Sequence, residues 1–189
     1  PEELPYDSAR WDPLWAAAQE ADLPLSLHIL TGRGGTSVKW GSIMRTYGTL
    51  HHGIERSLVT MLFGGLFQRF PRLKIVSAEN DVGWMPHFLQ RIDHAWDKYR
   101  SLEQGTFIPE PPSTYFRRNV YATFQHDPVG VRERAEIGLD NLMWASDFPH
   151  SDSTWPRSRE YVARDFAGVP EVQLRKLVHD NAARLYGFA

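Results

Sequence analysis

The chain has 189 residues, room for one domain of ordinary size or for part of a larger one, and 42% of them are apolar, enough for a real core. Lys plus Arg number 21 against 23 for Asp plus Glu, a formal charge of −2, so no net field draws it to nucleic acid or to an anionic membrane, and neither is an expected partner. The absence of cysteine excludes a disulfide framework, a thiolate metal site and a cysteine nucleophile, and leaves any metal to His, Asp or Glu.

The start, Pro1-Glu2-Glu3-Leu4-Pro5, is neither a signal peptide nor a transit sequence, and apolar runs fall short of a membrane span, so the default expectation is a cytoplasmic protein. It also lacks a methionine and enters at once into a turn and a helical pattern, as if the numbering began inside a longer gene product.

Trp11 to Ala21 has the helical spacing Trp11, Leu14, Trp15, Ala18. The short apolar run from Pro24 to Leu30 reads as a buried strand, and the Gly-, Ser- and Thr-rich stretch from Thr31 to Gly53 as a functional loop far longer than an ordinary βα connection. A helix over Ile54 to Phe70, stopped by Pro71, precedes a strand from Leu73 to Glu79. A helix from Gly83 to about Leu102, a Pro-rich crossing from Pro109 to Pro112 and a strand from Asn119 to Phe124 follow. Asp127 caps a short helix that begins at Pro128 and closes at Gly138, the next strand runs from Asn141 to Ser146, and helices over Arg157 to Phe166 and Glu171 to Tyr186 end the chain. The alternation predicts an α/β fold with parallel strands in a single domain over 1–189. Four βα units are too few for a closed eight-stranded barrel of ~250 residues, so the pattern fits a small open sheet or half of a barrel.

In either fold the site lies at the carboxyl ends of the strands. His28 ends the first, Glu79 with Asn80 and Asp81 the second, Gln125-His126-Asp127 follow the third, and Asp147 and His150 the fourth. Taken singly, His28 has a commoner role as a core histidine, and Asp147 and the Glu79 to Asp81 cluster are equally readable as turn or helix caps. In register, His28 and Asp147 suit a first-row metal in a cysteine-free protein, and Glu79 is the less easily dismissed of its cluster. The adjacent His51 and His52 are a weak ligand signal, and Trp84, Trp144 and Trp155 lie near strand ends where they could line a pocket. No phosphate-binding glycine loop and no Gly-x-Ser-x-Gly elbow is present.

Leu23-Pro24-Leu25-Ser26-Leu27-His28, Phe70-Pro71-Arg72-Leu73-Lys74-Ile75-Val76, Gly83-Trp84-Met85-Pro86 with Arg91-Ile92-Asp93, Trp144-Ala145-Ser146-Asp147-Phe148-Pro149-His150 and Asn181-Ala182-Ala183-Arg184-Leu185-Tyr186 together resemble the amidohydrolase-related family. This branch of the amidohydrolase superfamily includes aminocarboxymuconate-semialdehyde decarboxylase and related aromatic-acid decarboxylases. The resemblance implies a TIM-type (β/α)8 barrel of the metal-dependent hydrolase kind, with this chain as strands five to eight plus the C-terminal helices, and a divalent metal, Zn or Mn. It assigns His28 as a metal ligand and Asp147 as a ligand that also shuttles a proton. The first-strand ligand motif of the family has no counterpart, and Glu79-Asn80 stands where many members have a histidine, so Glu79 joins the ligand candidates.

The expected activity is metal-dependent hydrolysis or decarboxylation of a small carboxylate or carbonyl compound, aromatic ones included. His150, His126, His52, Trp84 and Arg33 are candidates for contacts to the substrate or to the ligands. The competing reading is a catalytically degenerate barrel that serves as a binding or oligomerisation module. A half-barrel exposes sheet edges, so the chain is expected to pair with the missing N-terminal half or with another copy of itself, in a homo-oligomer.

Overall fold

The computed structural model describes residues 4–29, 43–102, 105 and 107–188. Arg33 and most of the glycine-rich stretch after the first strand lie outside the described residues.

Helix α1 (Asp12–Glu20) buries Trp15 and Ala18, the inward members of its apolar face. It is followed by β1 (Leu25–His28), and then, within the stretch read from sequence as loop, by α2 (Ile43–Tyr47) and the first turn of α3 (His51–Phe63). The single helix expected to Phe70 is broken at Gly64-Gly65, where Gly65 takes φ 69°, and resumes as α4 (Leu66–Arg69). Next come β2 (Ile75–Ala78) and α5 (Met85–Tyr99). The segment after the Pro-rich crossing is helical, α6 (Pro112–Asn119), and runs directly into β3 (Val120–Phe124). The capped segment after Asp127 is two short helices, α7 (Pro128–Arg132) and α8 (Arg134–Ile137), ahead of β4 (Leu142–Trp144). Helix α9 (Ser158–Asp165) precedes α10 (Glu171–Arg175), a π-helical turn (Lys176–Asp180) and α11 (Asn181–Tyr186).

The four strands form one parallel sheet in the order β1-β2-β3-β4, with Leu25 opposite Ile75, Ile75 opposite Val120 and Ala122 opposite Leu142. A doubly wound sheet reverses its strand order at a switch point, whereas an unbroken order with right-handed crossovers puts successive helices on the same face. That is the winding of a barrel wall. The packing agrees: Ile75, Val120, Ala122, Phe124 and Leu142 join the helices' Leu58, Met61, Phe67, Met85 and Phe116 in one core. The opposite face carries only a small cluster of Val76, Met143 and Leu185, and Ser26 and His28 on it are exposed.

The C-terminal helices close the β4 side. Asn181, fully buried, donates to the carbonyls of Leu139 and Leu142, both at 2.8 Å, and so fastens α11 beneath β4.

Candidate metal centre

Parallel register brings the carboxyl ends of β1, β2 and β4 to one rim, and on that rim His28, Glu79, Asp147 and His150 meet. His28 Nε2 lies 2.7 Å from Glu79 Oε2, and its Nδ1 lies 2.9 Å from the Ile29 carbonyl, to which it donates. Donation from Nδ1 leaves Nε2 facing Glu79, a contact that is favourable when a proton or a cation sits between the two. On the other side, His150 Nδ1 is 3.6 Å from Glu79 Oε1 and 3.1 Å from Asp147 Oδ1. One ligand atom each from Glu79, Asp147 and His150 falls within 4.8 Å of the others.

Asp147 supplies the strongest indication of what belongs there. Its side chain is 12% exposed, and its Oδ2 is buried without a hydrogen-bond partner. A buried, unpaired carboxylate oxygen costs several kcal/mol unless a cation neutralises it, in line with the ~1 to 3 kcal/mol or more of an unsatisfied polar group. Two carboxylates and one or two imidazoles are a donor set for a hard or borderline divalent cation, with no soft ligand among them.

The backbone around these groups is unusual. Glu79, Asp81 and Asp147 take φ of 62°, 49° and 59°, in the left-handed region that non-glycine residues rarely adopt. The Glu79 amide donates to Thr123 Oγ1 at 2.9 Å, which holds the strained residue against β3. Asp127 holds the same turn from the other end: its Oδ2 accepts from the amides of Val82 at 2.8 Å and Gly83 at 2.5 Å, while its Oδ1 accepts from Gly130 at 2.8 Å. The loop after β4 is closed by the His150 amide donating to the Asp147 carbonyl at 2.9 Å and by Thr154 returning to the Ser146 carbonyl at 3.0 Å.

A cavity of ≈ 180 Å³ opens beside Glu79. Tyr47, His51 and Trp84 form one part of its lining, and the His51 ring stacks on Trp84 with centroids 6.0 Å apart and planes 21° apart. Burial lowers the His51 pKa and outweighs the opposing pull of Glu55. Asn80, Asp81, Gln125 and Asp152 line the rest with Glu79. Although Asp81 as a residue keeps much of its surface in solvent, crowding by surrounding protein atoms, and then the nearby Asp127, push its carboxyl up to about 6.

The structure thus brings His28, Glu79, Asp147 and His150 together, with His150 within ligand range rather than only near the substrate. Trp84 lines the cavity, but His52 is exposed, with its ring edge-on to His51, and it is His51 that faces the pocket. His126 points elsewhere: its Nδ1 lies 2.6 Å from Asp165 Oδ2 and beside Arg164. In sequence His51 stood only as half of a weak His-His pair and Asp81 as part of the cluster that ends the second strand, and Asp152 carried no distinctive spacing. For His150 the signal was present, since it lies three positions after Asp147 across a turn.

A parallel sheet in chain order, with His, Glu and Asp converging at the carboxyl ends of its strands, has the architecture of part of a (β/α)8 barrel. The amidohydrolase family model matches residues 1–188, and the chain belongs to that family. It is 24% identical over 198 residues to gamma-resorcylate decarboxylase of Rhodococcus jostii (strain RHA1), an alignment that takes in 97% of this chain and 56% of that protein. Among solved structures it resembles 5-carboxyvanillate decarboxylase from Sphingomonas paucimobilis, with 26% identity, a TM-score of 0.80 and coverage of 98% of this chain and 56% of the other. It shares the fold of dihydroxybenzoic acid decarboxylase from Polaromonas sp. JS666, a structure with bound manganese and the inhibitor 2-nitroresorcinol, at 21% identity and a TM-score of 0.73 over 97% of this chain and 55% of the other. The chain therefore spans about half the length of the relatives it matches.

Proposed function

We propose that this chain carries the metal-binding strand ends of a decarboxylase that removes CO2 from a small aromatic carboxylate. The observation that carries the reading is the convergence of Glu79, Asp147 and His150 around the unpartnered Asp147 Oδ2. Support for decarboxylation over hydrolysis comes from the curated relative and the 26%-identical structure, both decarboxylases of aromatic acids.

Glu79, Asp147 and His150 would hold a divalent cation, Mn²⁺ or Zn²⁺, with His28 either completing the set or steadying Glu79 through their 2.7 Å contact. The cation, when bound, supplies a Lewis acid that neutralises and orients the anionic substrate. Asp147 would then have a proton-transfer role: its carboxylate would take up a proton from solvent before the substrate fills the site and deliver it to the ring carbon that bears the substrate's carboxylate. A C–H bond forms, the C–C bond to the carboxylate breaks, and its electron pair restores the aromatic ring as CO2 leaves. The aromatic lining of Tyr47, His51 and Trp84 gives the ring a surface to stack on and excludes water from the reacting carbon. We place 1–189 as a single domain that supplies half of the barrel, the remaining strands coming from outside these residues. His126, His52 and Arg33 stay candidates for contacts made in the completed barrel.

Titration with Mn²⁺, followed by loss of the free-ion paramagnetic resonance signal, tests the reading. The unaltered chain should bind about one ion, Glu79→Gln and Asp147→Asn should each weaken binding at least tenfold, and His126→Ala should leave it unchanged. A chain that binds neither Mn²⁺ nor Zn²⁺, or that binds them equally well after both carboxylate substitutions, would overturn it.

A further inference from the structure

Among the described residues four carboxamide side chains are buried, and three of them are fastened to backbone. Asn119 donates to the carbonyls of Pro71 at 2.9 Å and Leu73 at 2.8 Å, Asn181 to those of Leu139 and Leu142, and Asn80 to that of Ala78 at 2.8 Å. The fourth, Gln125, is 8% exposed, and its carboxamide has no hydrogen-bond partner among the described residues. Lying one residue past β3, it continues the alternation of Tyr121 and Thr123 on the face that carries Val76 and Met143, and it lines the cavity beside Glu79. Its backbone is held on both sides: the carbonyl accepts from the Trp144 indole N–H at 2.9 Å, and the backbone amide stands 3.5 Å from Asp81 Oδ1. The side chain is therefore aimed by a fixed backbone, and its amide atoms are not sealed from solvent as Asp147 Oδ2 is.

A buried amide without a partner destabilises the fold, and an apolar side chain of the same shape would not. A ligand entering the cavity supplies the missing partner. The carboxamide offers two N–H donors and one acceptor and carries no charge. An acid held at a cation beside Glu79 would bring its carboxylate oxygens to this wall, and they are acceptors that those N–H groups satisfy. The lack of charge suits the chemistry. The carboxylate has to leave as uncharged CO2, so a Lys or Arg in this place would stabilise the anionic ground state more than the transition state, whereas an amide orients the group without that penalty. We infer that Gln125 is a substrate-contacting residue whose carboxamide N–H donates to the departing carboxylate and sets its orientation against the ring. This rests on the decarboxylase reading above and adds to it a residue from the end of β3, the strand that contributes none of the candidate metal ligands.

Benzoate, whose single polar group is its carboxylate, is the probe. It is titrated by calorimetry into the full chain loaded with Mn²⁺, and the metal-free chain is melted alongside. Gln125→Met keeps the length of the side chain and removes its donors, so benzoate should bind weaker by about tenfold or more. Mn²⁺ affinity should stay within about twofold of the native chain, and the metal-free melting temperature should hold or rise, because an unpartnered polar group has been removed. Gln125→Glu keeps the shape, puts a negative charge in place of the donors and should weaken benzoate further. An amide that serves only the fold gives the reverse pattern, a lower melting temperature in Gln125→Met with native benzoate affinity. That pattern, benzoate bound by either folded variant as tightly as by the native chain, or no benzoate bound by a native chain that takes up Mn²⁺ would each overturn the inference while leaving the metal site intact. Failure of the native chain to take up Mn²⁺ would remove the decarboxylase reading and this inference with it.

Discussion

Asp127 is the residue whose replacement the structure prices most sharply. Sequence alone makes it an N-cap of the helix at Pro128, and loss of such a cap costs about 0.5 to 2 kcal/mol. In the structure one carboxylate serves three backbone amides from two segments: Gly130 within its own turn, and Val82 and Gly83 from the turn after β2. The bonds to Val82 and Gly130 are buried, so deleting the acceptor strands two amides away from water, and each bond to a charged group contributes about 1.5 to 3 kcal/mol. Asp127→Ala should therefore cost about 3 to 6 kcal/mol, a large part of the 5 to 15 kcal/mol typical of a folded domain. Asp127→Asn, which keeps one acceptor oxygen, should fall between the variant and the native chain. Urea denaturation read by circular dichroism measures this as a lower midpoint at unchanged slope. Mn²⁺ affinity should fall in the same variant, because the Val82 and Gly83 amides anchor the turn that begins at Glu79. A cost of 2 kcal/mol or less with metal affinity unchanged would show that Asp127 is only a cap, and would refute the clamp.

Two further outcomes follow from single groups. Burial pushes the Asp165 carboxyl up, but hydrogen bonds from Arg164 and His126 outweigh it and hold the group below the usual carboxylate range. A carboxyl whose folded pKa is depressed adds stability that is present above its unfolded value of about 3.9 and is lost as pH falls through the folded value. Asp165→Asn should accordingly flatten the fall in stability below about pH 4, and an acid limb identical to that of the native chain in a pH series of melts would exclude this. Asn181→Ala removes both donors to the Leu139 and Leu142 carbonyls from a site with no solvent exposure, and should cost about 2 to 4 kcal/mol. At 2 to 4 °C per kcal/mol for a chain of this size, a melting point lowered by only a degree or two would contradict it.

The strand ends were legible because each βα unit announces itself twice, by an apolar run and by the polar residue that ends it. Leu25 to His28, Ile75 to Ala78 and Leu142 to Trp144 are short enough to be unambiguous, and the parallel register then delivers His28, Glu79 and Asp147 to one rim. Helix α6 was not legible as such: Pro111 and Pro112 look like a crossing, although Pro at the first helical turn is compatible with a start, and Ser113, Tyr115, Phe116 and Asn119 are the buried residues that confirm one. The break at Gly64-Gly65 was masked by the continuing apolar spacing into Leu66 and Phe67, both buried. His51 rather than His52 faces the cavity because α3 begins at that residue, and which of two adjacent side chains points inward is set by the phase of the helix start.

The strained residues tie these levels together. Among the described residues, the non-glycine positions with positive φ are Asp22, Glu79, Asp81 and Asp147. Asp22 follows the end of α1, where the Leu23 amide bonds back to the Ala18 carbonyl at 2.9 Å and Lys74 pairs with the side chain at 2.7 Å, the familiar conditions of a helix terminus. The other three sit at the ends of β2 and β4, and such conformations cost about 1 to 3 kcal/mol each unless the surroundings over-determine them. Glycine would release the strain at every one of these positions but would delete a carboxylate from the rim or from the cavity wall. The Thr123 hydroxyl on the Glu79 amide, the Asp127 clamp on Val82 and Gly83, and the His150 amide on the Asp147 carbonyl are the bonds that hold the strained turns closed. Each of them comes from an adjacent strand end or from the same loop, so the parallel wall that brings the carboxylates together also supplies the contacts that keep them in an unfavourable backbone. Stability given up at the carboxyl ends of the strands, and secured by bonds with no other evident purpose, is the pattern expected where side-chain position at the rim matters more than local stability.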